Sequence, residues 1–255
     1  MELIANIAGS HSPAVMLWCG LALLLGGWVK GLMGVGLPMI AVPLMSFVLP
    51  PYVAAALVVL PVFPANIVQL RTGGSLRQKF TRFWPLIAGV VSGVFIGAPF
   101  LLAANLQVLQ FIVASIVALY ALMRIRDTAY VIKPDHEKSA ALTFGLLSGA
   151  IGGLTMLIGP LITLYMAALK LPRDVFVGSI ALVYLFTTFA IGVALAAYDQ
   201  LTTALIIASL FACVPATLGV VAGSICRQHV SQRLFDKLLT TLLFAISVAM
   251  FYRAL

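Results

Sequence analysis

The charged residues of this chain are gathered into a few short clusters, and the intervals between them are long and apolar. Arg71, Arg77, Lys79 and Arg82 form one cluster, and Arg124, Arg126, Lys133 and Lys138 a second. Lys170 and Arg173 form a third, and Arg227, Arg233 and Lys237 a fourth. A helix needs roughly 20 apolar residues to cross about 30 Å of hydrocarbon, and the intervals supply them. Composition agrees: 63% of the residues are hydrophobic and 9% charged, against about 45–50% and about 25% in a soluble domain. The short alternating segments of a closed barrel are not visible. The expected fold class is therefore an all-α integral membrane protein, because helices satisfy their own backbone in lipid.

A net charge of +8 in a soluble chain would raise nucleic acid as a partner. Here no basic patch lies on a foldable soluble domain, and cytoplasmic loops of membrane proteins collect Lys and Arg in any case. No nucleic-acid partner is expected. Cys19, Cys213 and Cys226 sit in or beside apolar segments and read as small apolar filler, with no Cys/His cluster for a metal. The first 13 residues hold Glu2 and His11 but no Lys or Arg, so no cleaved signal peptide is expected. All seven acids (Glu2, Asp127, Asp135, Glu137, Asp174, Asp199 and Asp236) fall in loops or at segment ends, as do His11, His136 and His229. A buried proton relay or a hydrolytic or redox centre is thus not visible. The expectation is no enzyme and no cofactor.

Hydropathy marks ten segments: 14–30, 38–48, 52–70, 83–102, 107–124, 139–152, 160–169, 175–197, 202–225 and 234–252. Six are long enough to span; the other four form two short adjacent pairs, 14–30 with 38–48 and 139–152 with 160–169. Each pair reads as a re-entrant hairpin, two tilted helices or one broken helix. The four basic clusters mark cytoplasmic loops, while 49–51, 103–106 and 198–201 carry no Lys or Arg and read as external. These assignments agree only if each short pair returns to the side it came from. Both termini then lie outside a bacterial inner membrane. The expected domains are an external N-terminus 1–13, a first repeat 14–124, a cytoplasmic linker 125–138 and a second repeat 139–255.

The halves match at nearly constant offset. Pro38 and Pro160 lie 122 positions apart, as do Leu49-Pro50 and Leu171-Pro172, and as do Gly27 and Gly31 with Gly149 and Gly153. Trp84-Pro85 with Gly89 and Gly93 matches Val214-Pro215 with Gly219 and Gly223 at 130, and Gln107 matches Gln232 at 125. Glycines every four positions let helices approach closely in lipid. With opposite orientation of the halves, the architecture is two inverted repeats, each a short broken-helix hairpin plus three spanning helices, a plan common among transporters.

The run Gly26-Gly27-Trp28-Val29-Lys30-Gly31-Leu32-Met33-Gly34-Val35-Gly36-Leu37-Pro38, with Leu49-Pro50, resembles the opening of the sulfite exporter TauE/SafE family. Gly149 through Gly153, Ile158-Gly159-Pro160 and Leu171-Pro172 resemble its second repeat. The resemblance covers about 14 to 252. It implies a membrane transporter of sulfite, thiosulfate, organosulfonates or related carboxylates. The glycine cluster is here interleaved with Met33, Val35, Thr155 and Met156, which leaves the particular anion open.

The two breaks are where chemistry is expected. At Gly34-Val35-Gly36-Leu37-Pro38 the glycines permit unusual backbone angles, and Pro38 suits the first turn of a new helix; Gly159-Pro160 repeats the pattern. Half-helices starting there offer unsatisfied N–H groups and positive dipole ends, so two of them facing each other would cradle an anion; the alternative is an ordinary tight turn. Lys30 is the basic residue set well inside an apolar run. It reads either as a counter-charge for that anion or as a side chain snorkelling to water. Asn66 and Gln69 share a face of segment 52–70, loosened by Pro61 and Pro64, and the offset of 122 maps Asn66 onto Thr188. Tyr184, Thr187 and Thr188 read mainly as interhelical hydrogen-bonding groups, and Ser46, Ser148 and Thr155 are weaker candidates. The candidate substrate-binding set is Lys30, Gly34, Gly36, Pro38, Asn66, Gln69, Gly159, Pro160 and Thr188. The expected partners are a small anion and the lipid bilayer. The same architecture would also serve an anion channel or a non-transporting membrane scaffold.

Overall fold

The structure is a computed structural model that describes residues 13–103, 105–125, 131–155, 158–226 and 232–254. Most of the expected external N-terminus, Arg126 and Asp127 of the linker, Met156 beside the second break, and Arg227 and His229 lie outside the described residues.

Among the described residues ten α-helices follow in order: α1 Pro13–Met33, α2 Leu37–Met45, α3 Pro51–Leu70, α4 Leu76–Ala103, α5 Leu106–Ile125, α6 Glu137–Thr155, α7 Gly159–Ala168, α8 Arg173–Ala197, α9 Thr203–Cys226 and α10 Gln232–Ala254, with a 3-10 turn at Pro134–His136 before α6. No strand occurs among the described residues. Pro13–Met33, Leu76–Phe100, Asp174–Ala197 and Thr203–Cys226 are long and apolar enough to cross a membrane. Pro51–Ile67, Gln107–Leu119, Gly159–Ala168 and Thr240–Tyr252 are shorter apolar stretches.

Two boundaries differ from the sequence expectation. Hydropathy ends segment 14–30 at Lys30 and makes it the first member of a short pair. The helix instead runs on through Lys30 to Met33, 21 residues in all, because the Lys30 side chain finds its partners inside the protein. The first member of each expected short pair is thus a full helix, of 21 and 19 residues, and only α2 and α7, of 9 and 10, are short. The second difference is at Lys79, expected in a solvated loop. It lies in the first turn of α4 with 4% of its surface exposed.

The helices pair across the two halves. α4 packs along α6 and α1 along α9; α5 packs on α10, and α3 on α8. The first two pairs exchange when the halves of the sequence are exchanged. Glycines make both contacts close. A Cβ on Gly93 would collide with the backbone at Leu146 and Ala150, and one on Gly149 with the backbone at Val90. At the other pair, a Cβ on Gly27 would meet the Ala216 carbonyl, and one on Gly223 the Trp28 carbonyl. The spaced glycines have the packing role that small residues take in lipid.

α8 is an inner helix and α9 an outer one: 61% of the apolar window of α8 is buried against 28% for α9. Phe211, Val214 and Leu218 of α9 are exposed, as expected for side chains that face acyl chains. Pro61 inside α3 lacks an N–H and releases the carbonyl of Leu57. Ser209 of α9 meets that need: its Oγ donates to Leu57 O at 2.9 Å and accepts from the Leu60 N–H at 3.3 Å. An irregular backbone is thus satisfied by a neighbouring helix, as a hydrocarbon surround requires.

Candidate functional site

α1 ends because Gly34 takes φ +84°, and Gly36, at φ +121°, turns the chain into α2. A side chain would be strained at either position. Pro38 stands in the first turn of α2, and Pro160 in the first turn of α7. Neither helix has a side-chain cap at its start. Their first N–H groups are therefore left to the surroundings, and each end carries about +0.5 charge from the aligned peptide dipoles.

The two starts lie together. Gly36, Pro38, Ile158, Gly159, Tyr184 and Thr188 line one small cavity of about 20 Å³, room for about one ordered water. A second cavity of the same size continues past Pro38 and Thr188 toward Val58 and Ile191. Met39 of α2 reaches the opposite break, where its Sδ would lie 3.7 Å from a Cβ on Gly159. Ser148 of α6 holds the second break, donating from Oγ to Ile158 O at 2.8 Å.

Lys30 lies beside this cavity and does not snorkel: it is 1% exposed. Its ammonium donates to Oδ1 of Asn66 at 2.7 Å and to Gly34 O at 3.3 Å, and it stands 5.8 Å from the centroid of the Tyr184 ring. All these partners are neutral. The ion pair among the described residues joins Arg82 to Glu137, with Nε to Oε1 at 2.6 Å, and neither residue touches Lys30. Asn66 is fully buried, and its Nδ2 has no hydrogen-bond partner.

Of the nine candidate residues, Lys30, Asn66 and Gly34 are joined by hydrogen bonds, and Gly36, Pro38, Gly159 and Thr188 line the cavity. Pro160 is buried in the first turn behind Gly159. Gln69 sits nearly one turn beyond Asn66, and its Oε1 is buried without a partner. Thr187 spends its hydroxyl on Val183 O and Ser46 on Val42 O, both within their own helices. Sequence reasoning placed Tyr184 among interhelical contacts, but its ring also lies against Lys30, and the residue lines the cavity. The repeat offset holds a signal for it, since Tyr184 lies 122 positions after Val62, another cavity residue.

A family model described as sulfite exporter TauE/SafE matches residues 19–250. The chain belongs to the sulfite exporter TauE/SafE family. The match spans both breaks and all nine candidate residues, so the TauE/SafE sequence pattern and the buried cluster occupy the same part of the molecule. Neither a curated protein nor a solved structure matches this TauE/SafE chain. Membership makes it a multi-pass membrane protein of a transporter family.

Proposed function

We propose that this protein is a carrier for a small sulfur-containing or organic anion such as sulfite, thiosulfate, an organosulfonate or a related carboxylate. The anion binds between the starts of α2 and α7, with Lys30 supplying charge and Asn66 and Thr188 supplying hydrogen-bonding groups. The two halves are inverted repeats in a bacterial inner membrane, with both termini outside. The interchange of α4–α6 with α1–α9 supports a repeat, and the basic clusters support opposite orientations.

One observation carries the reading: an ammonium in the last turn of α1 is buried on the oxygens of Asn66 and Gly34, against Tyr184 of the cavity that two uncapped helix starts line. Such a charge costs roughly 2.5–3.5 kcal/mol or more on insertion scales, and a bound anion offsets that cost. An anion accepts from all the donors that converge here. The cavity holds about one water, so binding a polyatomic anion requires Met39 and Tyr184 to move aside. A site that closes around its ligand suits a carrier better than a continuously open pore.

Proteoliposomes loaded with unlabelled sulfite and given labelled sulfite test the reading. A carrier gives saturable exchange. A single-channel current would assign the channel function, and the absence of flux with every member of the anion class would favour a scaffold.

A further inference from the structure

We propose that Lys79 latches a gate at the basic end of the α3–α8 pair, and that the latch opens as the anion passes. The proposal rests on the carrier reading above. The Lys79 ammonium donates to Leu70 O at 2.8 Å and to the carbonyl of Thr72. Those carbonyls end α3, the helix that carries Asn66. The same ammonium lies against α8, the helix of Tyr184 and Thr188, where a Cβ on Gly178 would sit 2.6 Å from Nζ. One side chain of α4 thus binds the end of α3 and lies against the start of α8.

The carbonyls at a helix C-terminus lack intrahelical donors and attract a cation, which explains where the ammonium goes. They supply no full counter-charge, and water would cap them without the cost of burying an ion. The opposite end of the pair offers a contrast. Ser209 stands 130 positions after Lys79, and its partner Leu57 stands 122 before Ser179, the offsets of the sequence repeat. That bridge uses a neutral hydroxyl and leaves the Pro61 break satisfied. The Lys79 bridge uses a cation and leaves needs unmet: Oε1 of Gln69, next to Leu70, and Oγ of Ser179, next to Gly178, are both buried without a partner. Buried polar atoms are nearly always bonded, so two orphans next in sequence to residues that the Lys79 ammonium touches point to a polar passage in its closed form. The connection from α3 to α4 turns through Gly73 and Gly74, which both take positive φ, 71° and 100°, and Gly73 packs against the backbone of Asp174 at the start of α8.

The test uses the full chain in proteoliposomes, with Cys19, Cys213 and Cys226 replaced by alanine and Ser179→Cys as the thiol. A charged methanethiosulfonate is applied from the side of the Lys79 end. Lys79→Met keeps the stem and removes the latch, and it is expected to speed modification at least about tenfold, or about 1.4 kcal/mol of closure. Gly178→Ala, which sets a methyl against Lys79 and Thr72, is expected to raise the same rate. Lys79→Arg still donates to both carbonyls and is expected to stay near the parent. A second probe, Ala190→Cys in the middle of α8, guards against general loosening and is expected to keep its rate. Unchanged rates at Ser179→Cys in both latch variants overturn the proposal, and so does an equal rise at Ala190→Cys. Failure of the carrier reading itself would be seen separately, as sulfite flux that does not saturate or is absent from the parent protein.

Discussion

The ammonium of Lys30 lies 2.7 Å from Oδ1 of Asn66, joining α1 to α3 across 36 positions of sequence. Lysine has three donors and no acceptor, so this contact fixes which way the Asn66 amide faces. The oxygen turns to Lys30, and Nδ2, with its two N–H groups, is left buried and unpartnered. Two residues therefore present only donors to the space beside them. A ligand that brings only donors is not served by such a pair; an anion, which accepts, is.

Replacing Asn66 by Asp tests that logic. The carboxylate of Asn66→Asp would stand where Oδ1 now stands and supply the missing counter-charge from within the protein. Anion affinity is expected to fall roughly ten- to a hundredfold, the scale of losing a charge-assisted hydrogen bond of about 1.5–3 kcal/mol. Melting temperature is expected to hold or rise, because the buried cation is now paired. Titration calorimetry with sulfite and a thermal melt of the same sample report the two effects. Unchanged affinity would remove Asn66 from the site.

The glycine crossings give a prediction about folding. A side chain at Gly149 collides with the backbone at Val90, so Gly149→Leu is expected to abolish monodisperse protein. Gly20 has nothing within 4 Å of its would-be Cβ. Gly20→Ala is expected to fold and gain about 0.5–1 kcal/mol, the usual difference between alanine and glycine inside a helix. Elution profiles and melts of the pair check both, and a well-folded Gly149→Leu would contradict the close packing of α4 on α6.

Much of this molecule is legible in its sequence, for reasons that are local. Gly34, Gly36, Pro38 and Pro160 mark the breaks because the backbone chemistry of glycine and proline belongs to the residue itself. The paired G-x3-G blocks announce close crossings because lipid offers helices little else to pack with. What sequence does not reveal depends on distant partners. α1 looks as though it ends at Lys30, since nothing nearby says that Asn66 will receive the charge. Lys79 looks like one solvated member of a basic loop, because its burial depends on the end of α3 and on the missing side chain at Gly178. Tyr184 reads as an ordinary tyrosine on an apolar helix until Lys30 is placed against its ring.

Sidedness follows from the basic clusters. In intact cells, a cysteine at Ser75 is expected to be shielded from an impermeant thiol reagent, and a cysteine at Gln200 to react. Ser75 precedes the first residue of α4, and Gln200 lies between α8 and α9. Labelling of both from the same side would contradict the opposed orientation of the two halves.

The central claim is that Lys30 carries the charge that holds the anion, and binding to purified Lys30→Met protein tests it most directly. Methionine keeps the length of the stem and removes the ammonium. Sulfite affinity is expected to fall roughly ten- to a hundredfold, from the loss of about 1.5–3 kcal/mol, while the protein stays folded because no acid is left unpaired. Lys30→Arg is expected to fall less, since a planar guanidinium replaces a compact charge in a site shaped for the latter. Equal sulfite affinities for wild-type and Lys30→Met protein would contradict the account and leave only the two helix starts as candidates for the site.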